Sequence, residues 1–280
     1  MKLVRYGARG NEQPGLLDSS DRIRSLAGVV DDITGDELGP ASIAKLRAVV
    51  PESLPAVEEG VRLGPCIGRV GKLIGIGLNY ADHAAETKMP IPAEPIVFNK
   101  ATSAICGPND DLEIPRGSVK TDWEVELGVV IGTHAKYVPE EDAFNYVAGY
   151  CVVHDVSERE FQIERSGQWT KGKGCDTFGP IGPWLVTADE VADPQDLDLW
   201  LEVDGVRRQS GNTRTMIFGV GKLVSYLSHF MSLLPGDVIS TGTPAGVGMS
   251  LSPPTFLHPG QTVRLGVANL GEQRQRVVQG

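Results

Sequence analysis

The stretch TDWEVELGVVIG, residues 121–132, sets Asp122, Glu124 and Glu126 at every second position, with Trp123, Val125 and Leu127 between them. Successive side chains of a strand point to opposite faces, so the three carboxylates share one face and the apolar residues the other. A sheet strand with one solvated face gives this alternation, and so does a strand that carries acids into a site. Partners elsewhere in the chain decide between the two.

Working outward, the stretch sits among short β-type runs: KLIGIGL (72–78), PIVFNK (95–100), VAGYCVVHDV (147–156), WLVT (184–187), DLWLEVDG (198–205), VRRQSG (206–211), DVISTGT (237–243) and TVRLGVANLG (262–271). Gly, Pro and Asp turn signals separate them. The Asp-Gly of VDGVR suits the positive φ angles of a type I′ hairpin turn. Helical segments are fewer: ADHAAETK (81–88), PEEDAFNY (139–146), SEREFQIERSG (157–167) and FGVGKLVSYLSHFMS (218–232). The mix predicts a β-rich α+β fold with peripheral helices and no regular βαβ alternation. Residues 1–65 differ in style, with short strands, the turn NEQPG and a helix near PASIAKLRAVV, and glycine becomes frequent from residue 62. A small N-terminal domain over 1–65 and a main domain over 66–280 are expected.

A chain of 280 residues, 41% hydrophobic and 22% charged, can bury a sizeable core, which excludes global disorder. Its net charge of -10 repels phosphate backbones, so nucleic acid is not an expected partner. The basic clusters DGVRRQSGNTR (204–214) and EQRQR (272–276) lack interleaved aromatics and read as solvated loops. The start, MKLVRYGARGNEQPG, has no apolar export segment, and no run approaches about 18 apolar residues. Cys66, Cys106, Cys151 and Cys175 are widely spaced without a C-x-x-C pair, which reads as reduced, mostly buried thiols in a cytoplasmic protein.

Four further features could join the acidic strand. Asp155 ends an apolar run, where a strand end can hold a polar group in a cleft. If it meets Glu124 and Glu126, the carboxylates repel one another unless a cation joins them, and oxygen ligands favour a hard ion such as Mg²⁺, Mn²⁺ or Ca²⁺. His83 and Glu86, three apart in a short helix halted by Pro90, share a face, so the carboxylate could orient the imidazole as a general base; a surface ion pair is the plainer reading. Arg159 and Gln162 follow Asp155 by four and seven residues, on one face of a helix starting there, and Lys173 lies in the Gly-flanked loop KGKG. Taken singly, a solvated helix and a flexible loop are the plainer reading of these. Thr243 sits in STGTPAGVG, where glycines let backbone N–H groups approach a ligand, but the G-K-[ST] ending of a phosphate loop is missing.

Taken in order, GLNYADHAAE, DWEVELGVVIG, GYCVVHDVSEREFQ, WTKGKGCDTFGPIGPW and PGDVISTGTPAGVG resemble the fumarylacetoacetate hydrolase family over about residues 70–270. The leading segment is similar to that of bacterial members labelled ureidoglycolate lyase or 2,4-diketo-3-deoxy sugar-acid hydrolase. The resemblance implies a mixed, rolled β-sheet and a homodimer. It implies one Mg²⁺ or Mn²⁺ ion held by Glu124, Glu126 and Asp155, a water-activating dyad in His83 and Glu86, substrate contacts from Arg159, Gln162 and Thr243, and a catalytic Lys173. Such a member would hydrolyse a carbon–carbon bond of a 2,4-dioxo acid, an acylpyruvate or a diketo-deoxy sugar acid, releasing pyruvate. Alternatives on the same site are a ureidoglycolate lyase, an isomerase or decarboxylase of related oxo acids, or a silent carboxylate-binding relative. The chain departs from the pattern at His154, where the family commonly has Asn; as a strand neighbour of Asp155 it should face the other way. Asp122 matches no ligand position and is left as a supporting or surface carboxylate.

Overall fold

Strand Val125–Ile131 has neither face in water: all seven of its residues are buried. In the computed structural model, which describes residues 1–280, it lies inside a ten-stranded mixed sheet. The order runs Ile23–Ser25, Gln13–Leu17, Lys2–Tyr6, Gly179–Thr187, Val147–His154, Val125–Ile131, Val238–Ser240, Leu73–Gly77, Ile96–Lys100, with Ile105–Cys106 pairing off this path onto Gly179–Thr187. Val238–Ser240 runs parallel to Leu73–Gly77 and antiparallel to Val125–Ile131, which makes the sheet mixed. A five-stranded sheet, Val206–Asn212, Asp198–Val203, Thr262–Val267, Gly271–Gln279 and Leu112–Ile114, supplies the second layer.

The alternation in the opening stretch sorts side chains between two cores. Val125, Leu127, Val129 and Ile131 belong to a cluster of 36 buried residues that also takes Leu199, Leu201, Val263 and Leu265 of the second sheet. Val130, on the other face, belongs with Cys151 and Val153 to a second cluster of 17, which includes Leu3, Leu16, Leu26 and Leu46 of the leading segment. Between Glu126 and Val130, Gly128 keeps that face low: a Cβ there would lie 2.7 Å from Val153 Cγ2 and 2.8 Å from Cys151 Sγ. The leading segment joins the same sheet, Lys2–Tyr6 pairing antiparallel with Gly179–Thr187.

Local sequence accounts for most elements. Helix Val220–Phe230 packs its apolar stripe, Val220, Leu223, Val224 and Leu227, into the large core. The VDGVR turn joins two antiparallel strands with Asp204 at φ 51° and Gly205 at φ 76°, the handedness a two-residue hairpin needs. Three expectations fail. DGVRRQSGNTR is not a solvated loop: past the Asp204–Gly205 turn it forms strand Val206–Asn212, paired with Asp198–Val203 and with Gln209 buried. EQRQR is not a solvated loop: it lies in strand Gly271–Gln279, with Gln273 and Gln275 buried and Arg274 and Arg276 exposed. Period two was present there, but its inward residues are amides, and an apolar pattern search passes over them. SEREFQIERSG does not form a helix from Asp155; Ser157–Glu158 pairs with Thr121–Asp122, and a short π-helical turn follows over Glu160–Glu164. No helix is long and apolar enough to cross a membrane.

Candidate functional site

Asp155 follows strand Val147–His154, and its backbone N–H donates to the Glu124 carbonyl (3.0 Å), which registers it against the acidic strand. One carboxylate oxygen from each of Glu124, Glu126 and Asp155 lies within 4.8 Å of the others, and all three residues are buried. The wet-face reading of the opening stretch therefore does not hold.

Cations crowd this cluster. Lys173 Nζ donates to Glu124 Oε2 and to Asp155 Oδ2, both at 2.6 Å. Far from riding in a mobile loop, Lys173 is buried at the end of helix Thr170–Lys173. Lys100, which the sequence did not single out, is buried as well and donates to Asp155 Oδ1 (2.5 Å) and the Val156 carbonyl (3.0 Å). Arg159 reaches three groups: Asp122 Oδ2 (2.9 Å), Glu124 Oε1 (2.7 Å) and Gln162 Oε1 (3.1 Å). Asp122 is fully buried and accepts also from the backbone N–H groups of Trp123, Gly248 and Met249, so it anchors Arg159 and the loop after STGTPAGVG.

Four buried carboxylates thus face three buried cations. Glu126 is the acid that no side-chain cation touches; Ser240 Oγ (2.6 Å) and the Gly242 N–H (2.8 Å) both donate to its Oε2, leaving Oε1 without a protein donor. Burial, with the charges of Asp155 and Glu124 adding to it, pushes the Glu126 carboxyl well above the usual carboxylate range. Burial works the same way on Glu124, but Lys173 and Arg159 outweigh it and hold that carboxyl below its usual range. For Lys173, burial opposes the charge while Asp155 and Glu124 prevail and raise its pKa; for Lys100, burial wins and lowers it. One unneutralised carboxylate beside two others, with hard oxygen donors throughout, suits a divalent cation such as Mg²⁺ or Mn²⁺.

His83 and Glu86 meet as their spacing predicts, His83 Nδ1 lying 3.3 Å from Glu86 Oε2 on helix Ala81–Glu86. Glu86 also accepts the Gly246 N–H at 3.0 and 3.1 Å, so the helix is clasped to the loop of residues 242–248. Asn79 secures the helix start by donating to the Phe218 and Thr241 carbonyls and accepting the Phe218 N–H. Gly242, at φ 101°, has no room for a Cβ, which would lie 2.7 Å from the Asn79 Cβ. Thr243 donates to the Val125 carbonyl (2.9 Å) and accepts from Gln209 Nε2 (2.8 Å); its hydroxyl proton is committed to the backbone. The Gln162 amide nitrogen has no protein acceptor.

All nine residues expected from sequence gather at one place. Eight of them, all but Glu86, line a single cavity of about 210 Å³, whose remaining wall is largely apolar. Sequence reasoning missed Lys100, which lies in no motif, and passed over Asn79 and Ser240 inside GLNYADHAAE and PGDVISTGTPAGVG, and His154 turns away. Its Nδ1 lies 3.0 Å from Gln275 Oε1 of the second sheet, and burial lowers its pKa to about 3, so it is neutral and structural.

Among known proteins, the chain is 68% identical over 277 residues, 99% of this chain and 98% of the other, to a protein of Burkholderia orbicola that is named provisionally as a hydrolase. Among solved structures it resembles a 5-carboxymethyl-2-hydroxymuconate delta-isomerase from Mycobacterium smegmatis, at 33% identity and TM-score 0.79, covering 100% of this chain and 99% of that one. It also resembles a maleylpyruvate hydrolase from Sphingobium sp. SYK-6, in complex with manganese(II) and pyruvate, at 28% identity and TM-score 0.84 with both chains fully covered. Residues 72–278 match the family described as fumarylacetoacetate (FAA) hydrolase C-terminal, and with the strand-rich mixed fold and the buried acidic cluster this places the chain as an enzyme of the fumarylacetoacetate hydrolase family.

Proposed function

We propose that this protein is a divalent-metal-dependent hydrolase that cleaves the C3–C4 bond of a 2,4-dioxo acid and releases pyruvate. The observation that carries the reading is the His83–Glu86 pair, whose imidazole shares one cavity with three clustered carboxylates. Glu124, Glu126 and Asp155 would hold Mg²⁺ or Mn²⁺, which when bound supplies Lewis acidity and a two-point anchor for a 1-carboxylate and its 2-oxo oxygen.

The chain's own residues supply the rest. Glu86 accepts from Nδ1–H of His83 and so fixes the tautomer that leaves Nε2 as a base. His83 takes a proton from water as the oxygen adds to the 4-oxo carbon. Gln162, through its free amide N–H, and Lys173, through its ammonium, stabilise the oxyanion, while Arg159 holds Glu124 and Gln162 in place. Collapse breaks C3–C4; the electron pair leaves with the pyruvate enolate, and the proton on His83 returns to C3. The products are the free acid of the acyl group and pyruvate. Thr243 shapes the cavity wall through its fixed rotamer. A cytoplasmic homodimer completes the proposal.

Similarity to an isomerase favours a second reading, in which the same site moves a proton on a chelated oxo acid without adding water. Assaying pyruvate release from acylpyruvates beside tautomer shift of hydroxymuconates and glyoxylate release from ureidoglycolate separates these. His83→Ala should suppress pyruvate release by about 10²- to 10⁴-fold while calorimetry shows Mg²⁺ still bound. Undiminished turnover in that variant removes the proposed base, and absence of Mg²⁺ and Mn²⁺ binding to the wild type leaves only a silent carboxylate binder.

A further inference from the structure

Every charged side chain in the cavity wall belongs to the acidic cluster or its base. Lys173 is committed to Glu124 and Asp155, Arg159 to Asp122 and Glu124, and no other lysine or arginine lines the cavity. The rest is built from Leu78, Met89, Ile96, Phe98, Ile163 and Trp169. Phe98 and Trp169 form a tilted ring pair 5.4 Å between centroids, and Lys173 Nζ lies 4.9 Å from the Phe98 centroid, so this apolar wall begins directly beside the reacting end. The one additional polar side chain, Thr87, spends its hydroxyl proton on the His83 and Ala84 carbonyls.

From this we infer that the acyl group of the substrate is uncharged and largely apolar: the enzyme takes monoanionic acylpyruvates and rejects those carrying a second carboxylate. The inference rests on the hydrolase reading for its chemistry but on the cavity wall for its selectivity. A carboxylate seated against this wall would be partly stripped of water with no uncommitted cation in the lining to meet it, whereas an alkyl or aryl group exchanges water for the rings and methyls of the wall. A maleylpyruvate hydrolase shares this fold, so the fold by itself does not set the selectivity and the cavity wall must.

The test compares substrates matched in length. With Mg²⁺ present, kcat/KM for 2,4-dioxooctanoate should exceed that for 2,4-dioxooctanedioate by about 100-fold, on the scale of partly desolvating a polar group without a new partner. Equal or faster turnover of the diacid overturns the inference. A second measurement does not depend on cleavage: calorimetric binding of 2-oxohexanoate against 2-oxohexanedioate to the Mg²⁺-loaded enzyme. If no acylpyruvate is cleaved, the hydrolase reading fails, yet tighter binding of the monoacid still supports the apolar wall, and tighter binding of the diacid still refutes it. Ile163→Arg, at a half-exposed wall position, should narrow the preference by at least tenfold in both measurements; an unchanged ratio in a folded variant also counts against it.

Discussion

Replacing Asp122 with Asn exchanges one oxygen for an NH₂ group and should destabilise the whole site. Asp122 accepts from Trp123 N (2.8 Å) and Gly248 N (2.7 Å) on Oδ1, and from Arg159 Nε (2.9 Å) and Met249 N (3.0 Å) on Oδ2. An amide keeps one acceptor oxygen, so whichever way it turns, two N–H donors are left facing an NH₂ group. Each unsatisfied buried donor costs about 1–3 kcal/mol. Arg159 also loses a buried counter-charge, and breaking such a pair costs roughly 3–5 kcal/mol, a figure that overlaps the first and is not added to it. We expect a loss of about 3–5 kcal/mol, and at about 2 °C per kcal/mol for a chain of this size a Tm lower by roughly 6–10 °C. Arg159 then holds Glu124 less firmly, so Mg²⁺ affinity should fall by about 10- to 100-fold although Asp122 is no ligand. Calorimetric melting and Mg²⁺ titration of the same sample check both. A variant that melts within about 2 °C of the wild type would show that the donors find water instead, and the account of Asp122 as an anchor would be wrong.

Glu126→Gln removes the acid that no side-chain cation touches and should weaken Mg²⁺ binding beyond the roughly 100-fold loss typical of outer-shell partners, read by calorimetry; retention of affinity would remove Glu126 from the ligand set. Asp18 bears on acid stability. Burial works to raise its carboxyl, but hydrogen bonds from Arg24 and from the backbone of Arg22 and Ser20 outweigh it and bring the pKa down from 3.8 to about 2. Its folded pKa lies below its unfolded one, so its contribution is present above pH 3.8 and is lost as pH falls towards 2. Asp18→Asn should flatten the acid limb of urea stability in that window and leave the slope at neutral pH alone. Gly149→Ala would set a Cβ 2.1 Å from the Val186 carbonyl oxygen, backbone that cannot step aside; a loss of about 1–3 kcal/mol is expected, and a neutral result by denaturant titration would show that the sheet slides there.

The acids at 122, 124 and 126 were visible in sequence as a row, and the motifs around them named the cluster, because ligands and dyad lie on segments whose glycines, prolines and charges are locally distinctive. Their supports were not visible. Lys100 closes a strand that reads as ordinary, and its ammonium meets Asp155 only through the pairing of non-adjacent strands. Asp122 becomes an anchor only once Arg159 and the chain at 248–249 arrive from far away in sequence. The buried glutamines of Gly271–Gln279 were hidden for another reason. Gln273 donates to the Val152 carbonyl and Gln275 meets His154, so the strand buries polar groups that satisfy the back of the catalytic sheet.

The clasp between Glu86 and Gly246 N–H has a kinetic consequence. One carboxylate steadies the imidazole and tethers the short helix to the opposite loop; because His83 and Glu86 share that helix, lifting it would part Glu86 from the Gly246 N–H while the two side chains move together. In the proposed reaction the dyad would therefore travel as one unit, leaving the carboxylate cluster when the helix rises to admit substrate and returning to it when the helix is lowered. Water activation would then belong to the covered state, separated in time from substrate entry.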